Sequence, residues 1–303
     1  MLPRFDLYEP KTIAEACALK KEHNGRILAG GTDVVIDMHG GKEFPVIIDI
    51  KGIEELETIT EDENTITFGA LTRHRTIEES VFFKKYYSAL WDGCSQVGSV
   101  QIRHRGTLGG NICNAVPSAD SIGPLQVFDA VCTVASPEGD REVALKDFFI
   151  GPKKTILGPD EILKSITIQK LKARSGSCYI KYGRRKAMDL ALCGISCMIE
   201  LDENDTIVKS RWSLTTAAPT SIRNYPPEEY LTGRNIKDVD LDELGKLAVK
   251  DAKPRSSWRS SAEFRIALLD EMAKRAYQNA LSRALEAKTA PPLMSEETGF
   301  NVF

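Results

Sequence analysis

Apolar residues in the first half of the chain come in short runs punctuated by glycine. Thr12-Ile13-Ala14-Glu15 has the form of a capping box, in which the Thr and Glu side chains satisfy free backbone donors at a helix start. A short helix therefore opens the chain. Positions 26–29 read as a brief buried strand running into Gly30-Gly31-Thr32-Asp33, and apolar Val34, Val35 and Ile36 begin a new element. A second strand falls at 46–50 and a third, with period-two alternation, at 65–68. Residues 97–105 fit either helix or strand; they lead into a second glycine turn, Gly106-Thr107-Leu108-Gly109-Gly110-Asn111, and then a strand at 130–135.

The pattern changes after residue 171. The polar stretch 172–176 reads as a linker, and longer antiparallel strands follow at 179–182, 191–201 and 207–214. Phe264, Leu268, Leu269, Met272, Ala276 and Ala280 recur at helical spacing and form one apolar face. From Ala290-Pro291-Pro292 onward no period remains, which predicts a loose tail or one that orders only against a partner. A chain of 303 residues suggests two domains at about 150 residues each.

Composition narrows what those elements serve. Lys and Arg number 40 against 43 Asp and Glu, a net charge of -3, so no basic field exists to hold nucleic acid or an anionic membrane. The longest apolar stretches, 46–50 and 190–199, are far shorter than the roughly 20 residues of a membrane helix. The start, Met1-Leu2-Pro3-Arg4-Phe5-Asp6, lacks the apolar core of a secretory signal, so a cytoplasmic location is expected. The 7 cysteines are odd in number and scattered, which argues for reduced thiols. Cys193 and Cys197 lie close together but lack the further ligands of a zinc or iron-sulfur site, so they are expected in the core.

Ile27-Leu28-Ala29-Gly30-Gly31-Thr32-Asp33-Val34 holds the most specific chemistry. Adjacent glycines permit positive φ and let backbone N–H groups approach an anion, while Thr32 offers a hydroxyl. It is neither the dinucleotide fingerprint with three spaced glycines nor a P-loop, since no Lys-Ser or Lys-Thr follows. Alone, such a loop is more often a plain turn. Thr107-Leu108-Gly109-Gly110-Asn111 repeats the hydroxyl, the paired glycines and the polar cap, so two loops can grip one extended anionic linker from opposite sides. Asp120, downstream, suits a ribose hydroxyl.

At these residues the sequence resembles the FAD-binding subunits of the molybdenum hydroxylases, the group that contains xanthine dehydrogenase, carbon monoxide dehydrogenase and nicotinate dehydrogenase. The resemblance includes Ala29-Gly30-Gly31-Thr32-Asp33, Ser95-Gln96-Val97-Gly98 with Gln101-Ile102-Arg103, and Thr107 through Ile112-Cys113-Asn114. It continues in Lys181-Tyr182-Gly183-Arg184-Arg185-Lys186-Ala187-Met188-Asp189 and Ala217-Ala218-Pro219-Thr220-Ser221-Ile222-Arg223. Pro254-Arg255-Ser256-Ser257-Trp258-Arg259, with Glu263-Phe264-Arg265, is similar to the bacterial xanthine dehydrogenase flavin subunit. Read from the residues alone, that stretch is equally a capped helix start with solvated charge or a subunit-docking segment.

The resemblance implies an α+β fold. A two-part FAD-binding domain of the vanillyl-alcohol-oxidase (PCMH) type would span 1–172, with its internal boundary near 55–60. A C-terminal domain of the carbon monoxide dehydrogenase flavoprotein type, with a small antiparallel sheet and helices, would span 173–289, and a tail 290–303. It implies non-covalent FAD, with residues 27–34 and 107–111 around the pyrophosphate, Asp120 on the adenosine side, Leu163 packed against the cofactor and Lys181 bringing a contact from the second domain. Without the resemblance, Leu163 reads as core packing and Lys181 as a surface charge. No catalytic side chain is required, because flavin chemistry belongs to the cofactor. Molybdopterin and 2Fe-2S clusters would sit on partner subunits, with electrons leaving to NAD or another acceptor. Arg103, Arg105, Arg184 and Arg185 form basic pairs compatible with the isoalloxazine, a nicotinamide ligand or solvated surface. Histidine attachment of the flavin, through His23, His39, His74 or His104, and a self-sufficient flavin oxidase or reductase are the alternatives.

Overall fold

In the computed structural model, which describes residues 2–294, strand β1 (Asp6–Tyr8) enters first, and the Thr12 hydroxyl accepts from the Glu15 amide at 3.1 Å to start helix α1 (Ile13–His23). The Glu15 carboxylate answers at the Lys11 amide, 2.8 Å away, rather than at Thr12. β2 (Arg26–Leu28), α2 (Val34–His39) and β3 (Val46–Asp49) follow, and β3 runs between β1 and β2 in a parallel sheet.

β4 (Ile59–Glu61) and β5 (Thr65–Gly69) begin a second sheet, and a run of short helices interrupts it: α3 (His74–Glu79), α4 (Val81–Tyr86), α5 (Ser88–Ser95), α6 (Val100–Arg105), α7 (Leu108–Asn114) and α8 (Ile122–Val127). The chain then returns through β6 (Val131–Ser136), β7 (Gly139–Ala144), a small hairpin of β8 (Phe149–Gly151) and β9 (Lys154–Thr155), and β10 (Ile162–Gln169). The resulting antiparallel order is β4-β5-β10-β6-β7. One continuous core, with Phe68, Phe83, Tyr87 and Phe148 among its largest buried side chains, fills the space between this sheet and the helices.

A third, antiparallel sheet is made by β11 (Ser175–Tyr182), β12 (Cys193–Leu201), β13 (Ile207–Thr215) and β14 (Ile222–Arg223). After it come α9 (Tyr225–Leu231), α10 (Leu241–Ala248) and the long α11 (Ala262–Glu286), whose predicted apolar face packs on β11 and β12 from Leu268 onward, whereas Phe264, counted in that face, is exposed. The α+β reading holds, with a smaller antiparallel sheet and helices after the first core. Cys193 and Cys197 are both buried in this second core, as expected. No helix among the described residues is long and apolar enough to cross a membrane.

Four expectations change. Residues 97–105 are resolved by Ser99, whose hydroxyl caps α6. The second glycine turn is not a turn: Thr107 is the N-cap of α7, and both glycines lie in its first turn. The expected linker 172–176 is partly strand, because β11 starts at Ser175. Gly176 is there for contact, since a Cβ on it would fall onto the backbone of α11 at Ala280 and Ala284. Polar composition hid a strand that needs no side chain where a helix crosses it. The tail is also packed as far as it is described: Met294 is 1% exposed within the first core, and its amide donates to Glu61 at 2.6 Å. Residues 295–303 of the expected tail lie outside the described residues.

The crossing at Gly176 gives a prediction. Gly176→Ala should destabilise the chain by about 1–3 kcal/mol through overpacking against backbone that cannot move aside. Thermal unfolding should show a lower midpoint, while Gly151→Ala, where a Cβ meets nothing within 4 Å, leaves it unchanged.

Candidate functional site

The principal cleft, of about 680 Å³, opens where the first loop meets the segment that leads into α7. Strand alternation decides which residues of β2 reach it. Ile27 and Ala29 line the cleft, whereas Leu28 points to the other face and packs with Val34, Met38 and Ile47. A Cβ at Gly30 would overlap the Arg105 carbonyl and lie 3.0 Å from the Gly106 Cα, so the two backbones touch only because Gly30 has no side chain. Gly31 then turns the chain at φ 76°, a left-handed conformation that L side chains rarely adopt.

Gly30, Gly31, Thr32 and Asp33 all line the cleft. Among the described residues, their backbone N–H groups donate to no protein acceptor. They lead directly into α2, so a row of unsatisfied donors sits at a helix start and faces a cavity. Such a row attracts an anion.

The second loop works differently from expectation. The Thr107 hydroxyl is occupied by the Gly110 amide at 2.9 Å, the Leu108 amide donates to Thr72 O and the Gly109 amide to Ala70 O. Its backbone donors are therefore already bonded. What it contributes is a close wall: Gly109 packs against Ala70, and a Cβ on Gly110 would stand 2.9 Å from Thr107 Oγ1 and 3.8 Å from the Ala29 Cβ. Neither glycine takes a positive φ, contrary to the sequence-based reading. Asn111 lines the cleft; its Oδ1 accepts from Ser121 at 2.7 Å, which leaves its side-chain NH₂ available. Leu108 is fully buried core and does not reach the cleft.

Leu163 lies in the cleft wall, 3% exposed, at a bulge where the β10–β6 register shifts between Leu163 and Ser165. Asp120 also lines the cleft, between α7 and α8. Its Oδ1 accepts from the Tyr179 hydroxyl at 2.7 Å and its Oδ2 from Lys181 Nζ at 2.7 Å, both from β11. Lys181 donates also to Gln96 O at 3.0 Å and does not line the cleft. The structure thus brings the two residues together as a buried ion pair. Burial pushes the Asp120 carboxyl up to about 6, against the Lys181 ammonium and the two hydrogen bonds that hold it down.

Several lining residues carried no sequence signal of their own. Arg26 lies beside the first loop, and Lys20 comes from α1, bonding Gly158 O and Pro159 O at 2.9 Å each. Both bring positive charge to the cleft. Met188 and Asp189 reach its rim from the segment between β11 and β12. Of the four histidines only His74 lines the cleft; it is buried, and desolvation with the nearby Arg103 lowers its pKa to about 4. Arg103 itself is buried and forked onto Glu78 at 2.7 and 2.9 Å, a structural pair rather than a ligand contact.

Comparison with known proteins agrees with this geometry. Residues 3–170 match the family described as the FAD binding domain in molybdopterin dehydrogenase, and residues 178–280 match the CO dehydrogenase flavoprotein C-terminal domain. A putative xanthine dehydrogenase FAD-binding subunit of Escherichia coli is 34% identical over 277 residues, covering 90% of this chain and 94% of that one. The nicotinate dehydrogenase FAD-subunit of Eubacterium barkeri is 36% identical over 206 residues, covering 66% and 70%. In a solved structure of carbon monoxide dehydrogenase from Hydrogenophaga pseudoflava, a chain 28% identical superposes with a TM-score of 0.88, covering 93% of this chain and 99% of that chain.

Asp120 makes stability depend on pH. Its folded pKa lies above the ordinary 3.8, so the folded state holds the proton more tightly, and this contribution is lost as pH rises from about 4 through about 6. In the flavin-free protein, the stability of Asp120→Asn relative to the parent should therefore climb across that window and level off above it. The climb should be on the order of 3 kcal/mol, at about 1.4 kcal/mol per pKa unit. Denaturant titrations at a series of pH values check it; a flat difference contradicts the assignment.

Proposed function

The chain belongs to the family of FAD-binding subunits of the molybdenum hydroxylases, and from that premise we propose that it is the electron-transfer flavoprotein of a xanthine dehydrogenase-like complex in the cytoplasm. Substrate is hydroxylated on a molybdopterin-binding large subunit, electrons pass through 2Fe-2S clusters of a small subunit, and they leave through non-covalently bound FAD to NAD or another acceptor. Xanthine is favoured by the 34% identity over 90% of the chain. On this reading residues 1–172 are the FAD-binding domain and 173–289 the second domain.

The observation that carries the proposal is the row of free amides at residues 30–33, facing a cleft of about 680 Å³. Those amides, the Thr32 hydroxyl and the Asn111 side-chain NH₂ supply donors for a pyrophosphate on two sides. Lys20 and Arg26 add positive charge nearby. Asp120 keeps lone pairs for a ribose hydroxyl beyond those taken by Tyr179 and Lys181. Lys181 then acts on the cofactor through Asp120, by fixing that carboxylate. Leu163 and Ile162 give the apolar wall against which a ring system packs. Bound flavin supplies the redox chemistry, and the chain supplies position, electrostatics and exclusion of water.

Purified chain is expected to be yellow with about one FAD each and to leave xanthine unoxidised when alone. A colourless chain that cannot be reconstituted with FAD overturns the proposal, and turnover of alcohols, acids or NADH without partners would favour a self-sufficient enzyme. Gly110→Val places a branched side chain between Thr107 and Ala29, where the loops converge. FAD retention should fall by tenfold or more, an estimate of about 1.4 kcal/mol of lost binding, with the far-ultraviolet circular dichroism of the parent. Equal flavin content in the folded variant counts against this placement.

A further inference from the structure

His74, at the start of α3, lines the cleft and is 1% exposed, yet neither of its ring nitrogens has a hydrogen-bond partner among the described residues. Nδ1 is sealed inside the protein. Buried polar groups are nearly always bonded, and one left bare beside a cavity is satisfied by whatever fills that cavity. The ring of His74 keeps its bond for a ligand.

The main chain fixes where that ring can reach. The His74 amide donates to Gly106 O at 3.1 Å, and Gly106 is the residue whose Cα a Cβ on Gly30 would approach to 3.0 Å. A Cβ on Gly106 would in turn meet His74 Cδ2 at 3.3 Å and Thr32 Oγ1 at 3.7 Å. Because Cδ2 is bonded to Nε2, the Cδ2–Nε2 edge of the imidazole stands on the Thr32 side, next to the free amides of residues 30–33. The ring and the first loop therefore border the same part of the cleft.

Burial, with Arg103 of α6 as the charged group that acts on it, lowers the pKa of His74 to about 4, and Arg103 is itself forked onto Glu78 of α3. The ring is neutral. A proton on Nδ1 would be a buried N–H without an acceptor, so the proton belongs on Nε2. We propose that His74 binds the FAD diphosphate through its Nε2–H as a neutral imidazole, beside the Thr32 hydroxyl and the free amides of the first loop. The inference rests on the flavin reading above. A neutral donor meets the anion without placing a second buried cation next to Arg103, and the bond neither takes up a proton nor fades as pH rises through the ordinary histidine range.

Calorimetric titration of the flavin-free chain with FAD tests it. His74→Phe keeps a ring and removes the donor, so its Kd for FAD should rise about ten- to a hundredfold. His74→Gln, whose amide N–H replaces that of Nε2, should stay within about threefold of the parent. ADP-ribose, which has the diphosphate without the isoalloxazine, should lose affinity in His74→Phe by the same factor. Proton uptake on FAD binding, read in buffers of different ionisation heat between about pH 6.5 and 8, should be equal in the parent and His74→Gln. In the parent, the imidazole ¹⁵N–¹H signal that His74→Gln lacks should show the Nε2–H form at neutral pH, and its proton should shift when FAD is added. An unchanged Kd in His74→Phe, no rescue by Gln, a loss for FAD without one for ADP-ribose, an extra proton taken up by the parent, or an Nδ1–H form each overturns the proposal while FAD binding by the parent stands. A parent that binds no FAD defeats both this and the flavin reading.

Discussion

A carboxylate taken out of water is stable only where charge and donors meet it, and the Asp120 side chain is such a case. It hangs from the first core, in the segment between α7 and α8, yet both of its partners, Tyr179 and Lys181, come from β11, the first strand of the third sheet, whose Tyr179 packs into the first core. The pair cannot form unless the two cores are correctly seated, and when it forms it fixes the far wall of the cleft. The shape of the cavity and the relation of the two cores are therefore one constraint. Removing Lys181 would leave a buried acid facing a hydroxyl alone, a costlier state than losing both members together.

The same polarity recurs along the seam. Asp92 on α5 holds Arg283 at 2.8 Å and accepts from the Tyr179 amide. Asp129, after α8, gathers Arg223 at 2.6 Å and Arg211 at 3.0 Å. In these pairs the acid belongs to the first core and the base to the second. Between them Gln126 accepts from Ser213 and donates to Ser221 O, adding buried directional bonds beside the apolar contacts of Tyr179 and Met198 with the first core. Such an interface has directional bonds where a greasy one has only area, so it resists sliding as well as separation.

Much of this was legible from spacing and composition. The long apolar face of α11, the strands at 46–50 and 65–68, the cap at Thr12 and the first glycine loop needed only local rules, because each is determined by neighbours in sequence. The second loop misled because hydroxyl-x-x-glycine reads alike in a turn and in a capped helix. Only the contacts with Ala70 and Thr72 show that its donors are already taken. Gly176 misled for a related reason: its role depends on Ala280 and Ala284, far along the chain. Lys181 was singled out by resemblance, but no local pattern could reveal that its ammonium is bound to Asp120. Lys20 and Arg26 were silent because cations on a helix end and a strand edge usually face water.

Glu61 has an effect out of proportion to its size. One of its carboxylate oxygens lies 3.0 Å from Lys170 Nζ, just before the chain leaves the first core, and the other accepts from the Met294 amide where the chain comes back. With Met294 buried beside it, the second core is tethered at both its entrance and its exit, like a door fastened on two edges. Swinging that body on a single hinge would have to break one of these two contacts. Met188 and Asp189, at the rim of the cleft, are therefore carried by a body fastened at two points rather than one.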